Sequence, residues 1–201
     1  MVKIIKISII ILFTLTGVLL ILNAYGLFTD VTFSKHRIGP YLLVFDKWEG
    51  DYKVTGAVMK KVSNQLQKEH GITCSHQFGL YFDNPEKVQT EKLRSIGGCV
   101  VKEKTFEDLE ALRLKHSVYQ FPQTQAVASE FPFKGQLSIV FGLMKVYPRL
   151  SEYLQTHHLT PGAIMELYDN EKITYIAPTD IPKKSLEALL DVDMNQQGQS
   201  K

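Results

Sequence analysis

Ile164-Met165-Glu166-Leu167-Tyr168, then Asp169-Asn170-Glu171-Lys172, then Ile173-Thr174-Tyr175-Ile176 is the stretch on which the fold turns. Two runs of β-branched and aromatic residues around a polar link predict a β-hairpin. Side chains alternate along a strand, so Ile164, Glu166 and Tyr168 share one face while Met165 and Leu167 share the other. A carboxylate is thereby set among apolar and aromatic neighbours. An earlier stretch, Gly79-Leu80-Tyr81-Phe82-Asp83-Asn84, aligns beneath Met165-Glu166-Leu167-Tyr168-Asp169-Asn170 and sets Leu80 in the place of Glu166.

Outward from these two stretches the order of elements repeats. A strand at Tyr41–Phe45 leads through Asp46-Lys47 into the turn-rich Trp48–Tyr52. A helix follows from about Val54 to Glu69, since Val54, Val58, Val62 and Leu66 recur at i+4 and His70-Gly71 supplies a stop. Strands around Phe78–Phe82 and Cys99–Val101 complete the unit. Ser117–Phe121 and Gln125–Ala128 open a second unit. Its helix, about Gln136 to His157, carries Leu137, Phe141, Met144, Tyr147, Leu150 and Leu154 at spacings of three and four, and Pro148 is expected to kink or split it. The offset between the units is about 87 residues. Tandem strand-helix-strand-strand units predict an α+β domain over residues 38–180, with repeats at about 38–103 and 114–180. They form one antiparallel sheet with two helices on one face.

Ahead of this domain, Ile7 to Phe28 holds no charged residue across 22 positions, about 33 Å of helix and enough to cross a bilayer. Residues 1–30 are read as an uncleaved transmembrane anchor, because Leu22-Asn23-Ala24 is a poor cleavage site, and residues 31–37 as a tether. Lys3 and Lys6 precede the span while Lys35, Arg37 and Lys47 follow it, a near-balance that leaves orientation open. The expectation is an inner-membrane protein with a periplasmic domain in a bacterium, or an ER-type membrane protein in a eukaryote. Residues 181–201 are expected to be a polar tail.

Of 23 basic residues two precede the span, which leaves 21 against 21 acidic ones. This neutral balance argues against nucleic acid as a partner. The six histidines make no metal-ligand spacing, and no phosphate loop or nucleophile elbow appears, so no metal and no cofactor is expected. Cys74 and Cys99 flank the strand around Tyr81, Cys99 the nearer to it; a disulfide between them is open but is not the expectation. Phe106-Glu107-Asp108-Leu109 is read as a helical turn capped by Thr105 rather than as a docking motif.

Gly39-Pro40-Tyr41 opening the first strand, the duplicated unit, and Ile164–Tyr168 with its glutamate two residues before a tyrosine resemble the GyrI-like small-molecule-binding domain. That domain is known from the gyrase inhibitor GyrI and the effector domains of regulators such as BmrR and Rob. The span, Phe131-Pro132-Phe133, Leu137-Ser138-Ile139 and Tyr147-Pro148 resemble most the membrane-anchored animal branch of this family, which acts in autophagy of the endoplasmic reticulum. The resemblance implies a groove with Glu166 at its floor that takes an apolar or cationic molecule. Tyr168, Trp48, Tyr52, Tyr81, Phe131 and Phe133 are candidate ligand-binding residues, since aromatic faces suit flat apolar ligands and cations. Two alternatives remain. One is a hydrolase of reactive small molecules with Glu166 as general base; the other is an interaction module that presents a docking surface at the membrane.

Overall fold

The computed structural model describes residues 2–102 and 106–191. Helix α1 (Val2–Ala24) buries none of its apolar surface, and Lys3–Ala24 is long and apolar enough to cross a membrane. The rest is an α+β domain. Strands β1 (Ser34–Ile38), β2 (Tyr41–Glu49), β3 (His76–Tyr81), β4 (Arg94–Val101), β5 (Ser117–Phe121), β6 (Thr124–Pro132), β7 (Ile164–Tyr168) and β8 (Lys172–Pro178) join in one curled antiparallel sheet. Their order is β1-β6-β8-β7-β3-β4-β2-β5. The helices are α2 (Thr55–His70), α3 (Phe106–Arg113), α4 (Gln136–Thr156) and α5 (Lys183–Asp191).

The sheet order is palindromic in its elements. Counting from the central β7–β3 pair, each half runs outward as third strand, fourth strand and second strand of its unit, then ends on the first strand of the other unit: β1 pairs with β6, and β5 with β2. The local two-fold at the centre of this antiparallel ladder, where Gly79 faces Glu166, sets Tyr81 on β3 in the place of Tyr168 on β7 and Gln77 in that of Ile164. Glu166 is therefore the counterpart of Gly79, and Tyr168 of Tyr81. The alignment that set Leu80 opposite Glu166 is one residue out of step, and a one-residue slip reverses the face: Leu80 points into the other side of the sheet.

One rung crosses six of the eight strands: Asp46, Gly97, Gly79, Glu166, Tyr175 and Ser129 lie side by side on neighbouring strands. Residues in a rung share a face. Helix α2 packs on this face through Thr55 and Met59 above Gly97, with Val62 and Leu66 over Leu42, Val44 and Cys99. Helix α4 packs on it through Val146, Leu150 and Leu154 over Tyr175, Val127 and Ala177. The two helices thus lie on one face, with Gly79 and Glu166 in the seam between them. On the opposite face Leu43, Phe45, Phe78, Leu80, Ile96 and Met165 form the largest core cluster, closed by Leu186 and Leu189 of α5.

Several expectations change. Residues 183–191 are not a polar tail, since α5 repeats apolar residues at Leu186, Leu189 and Leu190; residues 192–201 lie outside the described residues. Residues 34–37 are not a tether, because backbone pairing with β6 makes a strand of a segment with no apolar alternation. Its charged side chains suit an edge. β2 runs on to Glu49, where a turn was expected, because β4 pairs with it as far as Arg94. α4 is continuous through Pro148: the ring faces solvent, where the carbonyl left unpaired one turn back can meet water. Phe106 opens α3, as the helical-turn reading has it, while Thr105 lies outside the described residues. Cys74 and Cys99 are joined in a disulfide rather than free. The β3–β4 register sets Cys99 opposite Gln77, so the chain entering β3 brings Cys74 to a Cα separation of 5.4 Å, within disulfide range.

Candidate functional site

Glu166 is 3% exposed and sits at the centre of the β7–β3–β8 region. Its burial follows from the rung. Across β3 stands Gly79, which has no side chain to shield the carboxyl, and α2 and α4 roof the seam from either side. Three tyrosines supply its hydrogen bonds. Tyr147, from α4, donates to Oε1 at 2.7 Å, and Tyr168, two residues on along β7, donates to Oε2. Tyr81 is in hydrogen-bonding contact with Glu166 and Tyr168.

The two-fold relation explains why Tyr81 gets there. Tyr168 folds back along its own strand onto Glu166, and Tyr81 folds back in the same way onto Gly79. A Cβ at position 79 would lie 2.6 Å from the Tyr81 hydroxyl, so only glycine leaves room for that oxygen to reach the carboxyl. One half contributes the acid and a tyrosine, the other an empty place and a tyrosine.

Burial raises the Glu166 pKa above its ordinary value, while the tyrosine hydrogen bonds pull it back down. Burial, then the Glu166 charge, push Tyr147 and Tyr168 well above 10; Tyr81 is raised by the same two causes. The tyrosines therefore remain protonated donors. No lysine or arginine among the described residues pairs with this carboxylate. Tyr175, opposite Glu166 on β8, is 1% exposed, and its hydroxyl has no hydrogen-bond partner among the described residues. Its oxygen lies under Gly142 of α4, where a Cβ would come within 2.1 Å of it.

The aromatic residues expected around Glu166 divide. Tyr168 and Tyr81 touch it, and Phe133 joins through Tyr168, ring edge to face at 5.7 Å. Tyr52 reaches the cluster only through its ring, 4.9 Å from that of Tyr81; its hydroxyl is bound to the backbone of Asp83 and Arg94. Trp48 stands on β2, three strands from β7, or about 14 Å away. Its indole donates to Asp51 O at 3.1 Å and lies against Gly50. Phe131 is 1% exposed beneath α4 and packs with Val146, Ile173 and Tyr175. The residue that the sequence reading did not place in the site is Tyr147. It belongs to the apolar stripe of α4, and the signal for it is a single hydroxyl in that stripe on the side facing the twin helix.

Away from Glu166, an open cleft of about 280 Å³ is lined by Asp46, Lys47, Lys61, Gln65, Lys115, His116 and Ser117. Lys61 closes on Asp46 within it at 2.7 Å. Beside the cleft, where the sequence reading expected no metal, Glu69, His70 and His116 bring ligand atoms within 4.8 Å of one another. Zinc at tetrahedral bond lengths needs donor separations of roughly 3.3 Å, and Lys115 already holds Glu69 at 3.1 Å. The His70 and His116 rings stand edge to face at 5.6 Å, beside the Lys115–Glu69 ion pair.

No family model matches the chain. It is similar to mouse testis-expressed protein 264 homolog, 26% identical over 163 residues, which are 76% of this chain and 50% of the mouse protein. Human testis-expressed protein 264 matches at 27% over 105 residues, 49% of this chain and 34% of the human one. The chain thus spans half or less of these relatives. Among solved structures, the EcmrR C-terminal domain superposes with a TM-score of 0.52 at 13% identity, over 76% of this chain and 99% of that one. At that identity the likeness is one of fold: the chain carries the architecture of the EcmrR C-terminal domain.

Proposed function

We propose that this protein is a membrane-anchored binding module that captures a small apolar or cationic molecule in the seam between α2 and α4, with Glu166 as its anionic anchor. The observation that carries the reading is a carboxylate buried without a cationic partner and held by tyrosines alone. Burying a charge is costly unless it is paired, and such groups cluster where proteins bind or react. A cation entering the seam would supply the missing countercharge, and the faces of Tyr81, Tyr147 and Tyr168 would stabilise it further. The fold shared with the EcmrR C-terminal domain supports ligand binding in general.

The test is a titration of the full chain with aromatic quaternary ammonium compounds, wild type against Glu166→Gln. Gln keeps size and hydrogen-bonding capacity and removes the charge. Cation affinity is expected to fall at least about tenfold, or 1.4 kcal/mol. Equal binding to both forms, or to neither, would remove Glu166 from the binding role. Turnover of a reactive compound by wild type, lost in Glu166→Gln at unchanged affinity, would replace the binding reading with general-base hydrolysis.

A further inference from the structure

The first turns of α4 are built the wrong way round for a soluble helix. Over residues 136–144 the fully buried positions are small, Ser138 and Gly142, and Ile139 and Phe141 lie half-buried against the core, while Leu137, Val140, Leu143 and Met144 face out. Leu137 is 45% exposed, Val140 47%, Leu143 48% and Met144 69%, and no residue from Gln136 to Met144 is charged. Past Lys145 the pattern becomes ordinary: Val146, Leu150 and Leu154 are buried, and Arg149, Ser151 and Glu152 face solvent. A surface helix normally turns polar residues outward, so an apolar outer face marks a partner.

The end of α1 says which partner. Tyr25 lies beside Gly135, and Gly26 packs against Phe131 and Pro132. Lys145 Nζ donates to Leu27 O at 2.7 Å, and Arg149 Nη1 to Val31 O at 3.5 Å. Phe28, 59% exposed, stands at the same corner. The chain that leaves α1 is therefore pinned to both ends of the apolar half of α4. On the reading that α1 spans a bilayer, on which this inference rests, the lipid surface begins where α1 ends.

We infer that the outer face of α4 formed by Leu137, Val140, Leu143 and Met144, together with Phe28, lies in the bilayer interface as a second membrane contact. A helix lying in the interface sinks its apolar side roughly 5–10 Å into the headgroup and acyl boundary. Lys134, exposed at the foot of α4, faces the phosphates there. The contact fixes the domain against the membrane instead of leaving it to swing on a single helix, and it holds one wall of the seam over Glu166 at the lipid surface.

The experiment uses the full chain in phosphatidylcholine vesicles, half of whose lipids carry bromines midway along the acyl chain. Trp48→Phe removes the native tryptophan, and single tryptophans are placed by Met144→Trp, Ile10→Trp and Lys60→Trp. If the Trp48→Phe background melts abnormally, Trp48 is kept and differences from wild type are read. Bromolipid should quench the tryptophan at position 144 and that at position 10 by about half or more, and leave the one at position 60 nearly unchanged. Quenching at 10 with none at 144 overturns the α4 contact and leaves the span standing. No quenching at 10 removes the membrane reading, and the α4 contact with it. A blue-shifted, unquenched tryptophan at 144 in a chain that cross-links as a dimer assigns the face to a second copy and overturns the proposal.

Discussion

Gly142→Ala is expected to destabilise the protein by about 3 kcal/mol, although the same change within an ordinary exposed helix would stabilise it by about 1 kcal/mol. The added Cβ would stand 2.1 Å from the Tyr175 hydroxyl and 3.1 Å from Cζ, and that ring is locked in the core between Phe131 and Ile173. With no side chain free to give way, α4 must lift from the sheet. Tyr175→Phe removes the colliding oxygen, which forms no hydrogen bond among the described residues, so the single change should be neutral or mildly stabilising. In the double variant most of the loss should return. Urea unfolding of the four proteins gives the coupling energy directly. An equal loss from Gly142→Ala in both backgrounds would place the strain away from Tyr175.

The second large effect is at Glu166, where two substitutions should part company. Glu166→Ala leaves the hydroxyls of Tyr147 and Tyr168 without their acceptor and opens a cavity in the seam, at a cost of about 3 kcal/mol. Glu166→Gln keeps an acceptor for Tyr147, offers an N–H to a tyrosine oxygen, and buries no charge. Its melting temperature should equal or exceed that of wild type.

The pH dependence follows from the direction of the pKa shift. Because burial raises the folded pKa, the unfolded carboxyl, at its ordinary 4.5, loses its proton first as pH rises. Below that value both states are protonated and no penalty exists. Above it wild-type stability falls until pH passes the folded pKa, and then levels off. The advantage of Glu166→Gln should therefore be near zero at about pH 4 and grow toward about pH 7. A gap that does not change with pH would mean that the folded carboxyl titrates as it does in water.

Much of this was legible in the chain. The hairpin and both long helices are local patterns, and a spacing of 3.6 or 2 is visible without a partner. The glutamate in an aromatic strand was visible for the same reason. Elements held mainly by partners were not. β1 has no apolar alternation and is a strand only because β6 offers it a backbone ladder. α5 does carry a helical spacing, but over nine residues beside a polar terminus, and only the open core under Leu43 and Met165 gives it a place.

By itself the sequence determined the α+β class, an N-terminal helix long and apolar enough to span a membrane, and a strand that sets Glu166 on one face with Ile164 and Tyr168. Tertiary structure alone decided which residues meet Glu166. Register made Gly79 its counterpart and brought Tyr81 across, and the packing of α4 brought in Tyr147. The same geometry left Trp48 three strands away. The physical reason is that periodicity fixes which way a side chain points, whereas its neighbours depend on strand order and register, where a slip of one residue turns every side chain to the other face.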